Sequence, residues 1–156
     1  MHLLFVCTGN TCRSPMAEAI GRAMASERGL DDLTFASAGT SAWDGAPASD
    51  GALLVALEHG IDLSTHRAQV LSRELVTAAD LILVLSLHHR DRAAVLGGEA
   101  STHLLTDFAA RSEQGQPVLD PFGGDLETYR ATFVELSREI GRTLDRIAAE
   151  RQTPGQ

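Results

Sequence analysis

Short continuous apolar runs alternate along the chain with segments in which apolar residues return every three or four positions. Residues 2–6, HLLFV, form a run that breaks at Thr8-Gly9-Asn10, the pattern of a buried strand followed by a turn. Ser14 and Pro15 then read as the N-cap and first position of a helix reaching about Arg28. Residues 33–38 predict a second strand, 39–47 a loop, and 48–59 a second helix stopped by Gly60. A short helix over 72–79 precedes the run DLILVL at 80–85, a third buried strand. A helix over 87–96 ends at Gly97-Gly98, and His103 to Leu105 is a short fourth strand. Residues 106–125 read mostly as loop. From Leu126 the positions Tyr129, Phe133, Leu136, Ile140, Leu144 and Ile147 place one apolar stripe on a long final helix.

Strands that alternate with helices predict one three-layer α/β domain over residues 1–151, with 152–156 as a flexible tail. Its core is a four-stranded, mainly parallel sheet flanked by helices on both faces. Ligands of such sheets bind beyond the carboxyl ends of the strands, and the first strand-to-helix turn here is Cys7 to Arg13.

Composition narrows the chemistry. A chain of 156 residues with 44% hydrophobic content fills one domain core. The formal charge of -8, with no Arg-rich run, argues against a nucleic-acid partner. All 13 basic residues are Arg, so a catalytic lysine or a Gly-Lys-Ser phosphate loop is excluded. No run approaches the roughly 20 apolar residues of a membrane span, and nothing near Met1 reads as an export leader. Two cysteines five positions apart fit a reducing compartment, and the expected location is cytoplasmic. No Cys, His or carboxylate cluster has metal-ligand spacing. The adjacent His88 and His89 are expected to point to different sides of a helix.

The segment Cys7-Thr8-Gly9-Asn10-Thr11-Cys12-Arg13-Ser14 puts a thiol at a strand end and a guanidinium at a helix mouth. The main chain from Thr8 to Cys12 can wrap an oxyanion with successive N–H groups while Arg13 donates a bidentate pair. Thr8, Gly9, Asn10, Thr11, Cys12 and Ser14 are therefore the candidate phosphate-binding residues, with Gly9 and Asn10 suited to left-handed backbone. A thiol at a helix N-terminus beside Arg is expected to titrate well below its ordinary value of about 8.5, which makes Cys7 the candidate nucleophile. Ser14 reads equally as a donor to that sulfur or as a helix cap. Asp120, fixed before Pro121, is the candidate general acid for the leaving group, although an isolated Asp-Pro ordinarily just starts a turn. Cys12 reads as a small buried hydrophobe or as a thiol that traps oxidised Cys7 in a disulfide. Trp43, in a polar loop, reads as a pocket rim or as satellite packing, and Phe122 as a rim residue beside Asp120.

The sequence CTGNTCRS, SAGT at 37–40, Trp43, the triplet His66-Arg67-Ala68 and DPFGG at 120–124 resemble the low-molecular-weight protein tyrosine phosphatase family over residues 1–150. The resemblance implies a cysteinyl-phosphate mechanism without metal or cofactor, in which Cys7 attacks phosphorus, Arg13 clamps it, and Asp120 protonates the leaving atom and then activates water. It also implies phosphorylated proteins as substrates, phosphate-like oxyanions as inhibitors, and a hydrogen bond from His66 to Asn10. Thr11 and Phe122-Gly123 resemble the protein arginine phosphatase branch, since tyrosine-specific members carry a larger aliphatic residue and a second aromatic there. Thr11, Trp43 and Phe122 are the expected specificity residues, with phosphoarginine favoured over phosphotyrosine. Arsenate reduction on the same scaffold needs further cysteines, and only Cys7 and Cys12 are present. A noncatalytic phosphate-binding module would need neither the thiol nor Asp120.

Overall fold

A computed structural model describes residues 1–152; of the tail expected over 152–156, Gln152 caps the last helix and residues 153–156 lie outside those described. β1 (His2–Cys7) pairs in parallel with β2 (Thr34–Gly39) on one side and β3 (Leu81–Val84) on the other, and β3 pairs in parallel with β4 (Thr102–Leu104). The order is β2-β1-β3-β4 and every pairing is parallel, in keeping with the mainly parallel sheet expected. The two central strands, β1 and β3, are covered on both faces, which is why they read as unbroken apolar runs instead of alternating ones. Leu3, Phe5 and Cys7 face a core shared with α1 (Arg13–Glu27), α2 (Asp50–Glu58) and α6 (Leu126–Arg151). Leu4 and Val6 face the opposite core with Val76 of α3 (Arg73–Ala78) and Ala93 of α4 (Leu87–Ala93). The nucleophile candidate thus ends the strand on the α1 and α6 face.

The direction in which successive strands are added to the sheet reverses between β1 and β3, because β2 lies on one side of β1 and β3 on the other. Loops leaving the two strands part at that point, which opens a crevice at their carboxyl ends. The long helix α6 closes the layer beneath. Its buried stripe Tyr129, Phe133, Leu136, Ile140, Leu144 and Ile147 follows the expected spacing, and Asp125 caps it by accepting from the Thr128 N–H at 2.9 Å.

Three expectations change. The region after β4 is not all loop: α5 (Leu105–Ala110) buries Leu105, Phe108 and Ala109, a short helical spacing obscured by the polar residues around it. β4 covers Thr102–Leu104, one residue earlier than expected, with the Thr102 hydroxyl donating to Gly98 C=O at 2.6 Å. α1 begins at Arg13 with Cys12 in the capping position, so Ser14 lies inside the helix and is not its cap.

Candidate active site

Cys7, Thr8, Gly9, Thr11, Cys12, Arg13, Asp120 and Phe122 line one cavity of about 190 Å³ at the carboxyl end of β1. Residues more than a hundred positions apart in the chain meet there.

The loop keeps its curvature through Asn10, which adopts left-handed backbone (φ 55) and is fully buried. Gly9 does not take a positive φ, so the left-handed conformation falls on Asn10 alone. An L-residue at such an angle needs local support. Asn10 Nδ2 donates to Ser14 Oγ (2.8 Å) and Ser37 Oγ (2.9 Å), and Asn10 Oδ1 accepts from the Gln69 N–H (2.9 Å). His66 Nε2 donates to the Asn10 carbonyl at 2.7 Å, the contact implied by the family resemblance. Gly39 is needed for close approach: a Cβ there would stand 2.4 Å from the Thr8 carbonyl and 2.9 Å from the Asn10 nitrogen.

Ser14 Oγ lies 2.8 Å from Cys7 Sγ, where either group can donate; it accepts from Asn10 Nδ2 and has the Ala38 carbonyl at 3.5 Å as a further acceptor. Cys7 is only 2% exposed, and burial pushes its thiol above the ordinary range. The Ser14 hydroxyl, the Ser14 N–H, Arg13 and the Asn10 N–H pull the other way without outweighing that burial. The lowered pKa expected from sequence is therefore corrected: the donors are in place, but they act on a sulfur withdrawn from water.

Arg13 is 4% exposed, and its Nη1 donates to Val118 C=O (2.8 Å) and Ser86 Oγ (3.1 Å). Val118 is two residues before Asp120, so the same guanidinium that faces the loop fastens the Asp120 segment over it. Arg13 Nη2 lies 3.8 Å from Asp120 Oδ2, and Asp120 Oδ1 accepts from the Phe122 N–H at 3.0 Å, turning the aromatic toward the cavity mouth. Motif order alone could not place that segment.

Cys12 Sγ donates to Ser49 Oγ (3.3 Å), lies 3.4 Å from Tyr129 Oη, and is a free thiol, as is Cys7. Trp43 is 83% exposed, which counts against satellite packing, and it is not among the residues that line the cavity, so the structure does not bring it to the site as the pocket-rim reading expected. The rings of His88 and His89 lie together, centroids 4.0 Å apart, instead of pointing to different sides. Among the described residues no group of three or more His, Cys, Asp or Glu side chains is placed to hold a metal ion. Sequence reasoning missed Ser37, Gly39, Gln69, Ser86, His89 and Val118. Ser37 and Gly39 lie in the SAGT segment that carries the family resemblance, and Ser86 with His89 three residues on has the spacing of a helix-start box, while Gln69 and Val118 had no local signal.

The family model described as low molecular weight phosphotyrosine protein phosphatase matches residues 2–153. The chain belongs to that family. It is a cysteine-based phosphatase of the low molecular weight class, and its relatives divide by substrate. A probable low molecular weight protein-tyrosine-phosphatase, EpsP of Ralstonia nicotianae, is 49% identical over 147 residues, covering 94% of this chain and 96% of the relative. A protein-arginine-phosphatase of Geobacillus stearothermophilus is 36% identical over 149 residues, covering 96% and 97%. The solved YwlE arginine phosphatase, as a C7S mutant with a phosphorylated active site serine, superposes with a TM-score of 0.90 at 34% identity, covering 97% of this chain and 99% of that one.

Proposed function

We propose that this low molecular weight phosphatase removes phosphoryl groups from protein side chains with Cys7 as nucleophile, Arg13 as clamp and Asp120 as acid and base, and that phosphoarginine is its preferred substrate. The convergence of those three side chains on one cavity of about 190 Å³ carries the mechanistic part. The phosphoryl dianion enters against the N–H groups of residues 8–12 and the Arg13 fork. As sulfur attacks, the thiol proton passes to a phosphoryl oxygen, the S–P bond forms, and the bond to the side-chain nitrogen or oxygen breaks. Asp120 gives its proton to that leaving atom. It then takes a proton from water, which attacks phosphorus and breaks the S–P bond; the proton on the phosphoryl oxygen returns to the departing sulfur beside the Ser14 hydroxyl, and inorganic phosphate leaves.

Thr11 supports phosphoarginine. The residue lines the cavity, and its hydroxyl makes only a long contact with Cys12 Sγ at 3.8 Å that a guanidinium could replace. Gly123, at φ 82, has open space around it and adds no second aromatic wall. The 49% identity to a probable tyrosine phosphatase, together with the 73% exposed Phe122 ring at the mouth, favours phosphotyrosine as the second reading. Protein substrates in a cytoplasmic setting fit both, and among the described residues no helix is long and apolar enough to cross a membrane.

Matched phosphoarginine and phosphotyrosine peptides decide the substrate. The expected result is a higher kcat/KM for phosphoarginine, with Thr11→Ile moving the ratio toward phosphotyrosine by about tenfold, the worth of one hydrogen bond. A ratio that already favours phosphotyrosine and ignores Thr11→Ile contradicts the preference.

A further inference from the structure

The phosphate loop has a support that the reaction as written does not use. His89, in the first turn of α4, is fully buried and uses both ring nitrogens. The Ser86 N–H lies 3.1 Å from Nδ1; a main-chain N–H can only donate, so Nδ1 accepts and the neutral ring carries its proton on Nε2. Nε2 is 2.9 Å from Thr8 Oγ1 and therefore donates to it. Thr8 follows the nucleophile directly and lines the cavity, and among the described residues its own hydroxyl proton has no other partner. Ser86, at the start of the same turn, accepts from Arg13 Nη1.

We propose that His89 is a positioning residue: a neutral imidazole that fixes Thr8 after the nucleophile while the Ser86 turn it braces fixes Arg13, so that one turn sets the spacing of both ends of the phosphate cup. A buried histidine that only filled space would not direct its polar contacts at this loop and at the turn that holds its clamp. The charged form has no place here, since it would turn a donor on the Ser86 N–H and set a cation near Arg13. Burial, then His88 and Arg13, accordingly lower the His89 pKa to about 3. The inference rests on the phosphatase reading of the Cys7 cup.

Two measurements on the full chain test it. Nitrogen-15 NMR of the imidazole is expected to show the Nε2–H tautomer, neutral down to about pH 5, well below the ordinary histidine range. Kinetics with p-nitrophenyl phosphate are expected to show His89→Leu and Thr8→Val each lowering kcat/KM about tenfold, with the double variant no worse than either. His89→Gln recovers most of the loss, because Gln at this helix position accepts from the Ser86 N–H and keeps a donor for Thr8. An Nδ1–H tautomer, additive losses in the double variant, or wild-type rates in Thr8→Val overturn the proposal. Should His89→Leu fail to fold, Thr8→Val, His89→Gln and the tautomer still decide. If the wild-type chain turns over neither p-nitrophenyl phosphate nor a phosphoarginine peptide, the phosphatase reading fails by itself. Calorimetric vanadate binding then judges His89: about tenfold weaker in Thr8→Val supports it, and unchanged affinity overturns it.

Discussion

Cys7 and His89 are both buried, and their neutral forms are favoured for opposite chemical reasons. For the thiol the charged form is the deprotonated one, so burial raises its pKa; for the imidazole it is the protonated one, so burial lowers it. His89 makes the acid side testable. Its folded pKa of about 3 lies below the ordinary 6.5, so the stability it contributes is fully present above pH 6.5 and is lost as pH falls toward 3. Thermal melts from neutral to acid pH are expected to show a steeper fall in Tm for the wild-type chain than for His89→Gln, which has no imidazole to protonate. Parallel curves for the two proteins contradict this assignment.

At the scale of elements, parallel pairing brings the site together. Cys7 pairs with Gly39 across β1 and β2, and Gly39 bridges to Val70, which delivers Ser37 and Gln69 to the back of the loop. Gly39→Ala would place a methyl group against the backbone of Thr8 and Asn10, where nothing flexible can yield. A destabilisation of about 1–3 kcal/mol is expected, with activity lost in the protein that still folds, as read by denaturant melts and turnover. Wild-type activity in Gly39→Ala contradicts the close approach. This explains what was legible in the sequence. Cys7 to Arg13 is contiguous, and its chemistry shows in the residue order. Asp120 shows because Pro121 and two glycines mark an unusual path. Ser37, Gln69, Ser86 and His89 reach the loop only through strand order and register, which local patterns do not encode. Residues 105–110 hid a helix because six residues give too little periodicity, and the capping of α1 was misassigned because Ser14 serves the sulfur instead.

Across the whole molecule the machinery occupies one end of the sheet, while much of the stability comes from the body of the core. Leu136, fully buried on the stripe of α6, belongs to the core shared with α1 and lies two turns beyond Tyr129, the helix's contact with Cys12. Leu136→Ala is expected to cost about 2–5 kcal/mol in denaturant unfolding and leave kcat/KM per folded molecule unchanged. A loss of activity without a loss of stability would tie the distant core to the chemistry.

The covalent intermediate remains the centre of the account. Rapid quenching of the wild-type chain with a phosphorylated peptide, followed by mass spectrometry of the fragment holding Cys7, tests it most directly. One phosphoryl group on Cys7 in the wild-type chain, with none in Cys7→Ala and no turnover by that variant, is the predicted result. Steady turnover by Cys7→Ala, or a phosphoryl group captured on any other residue, would contradict it.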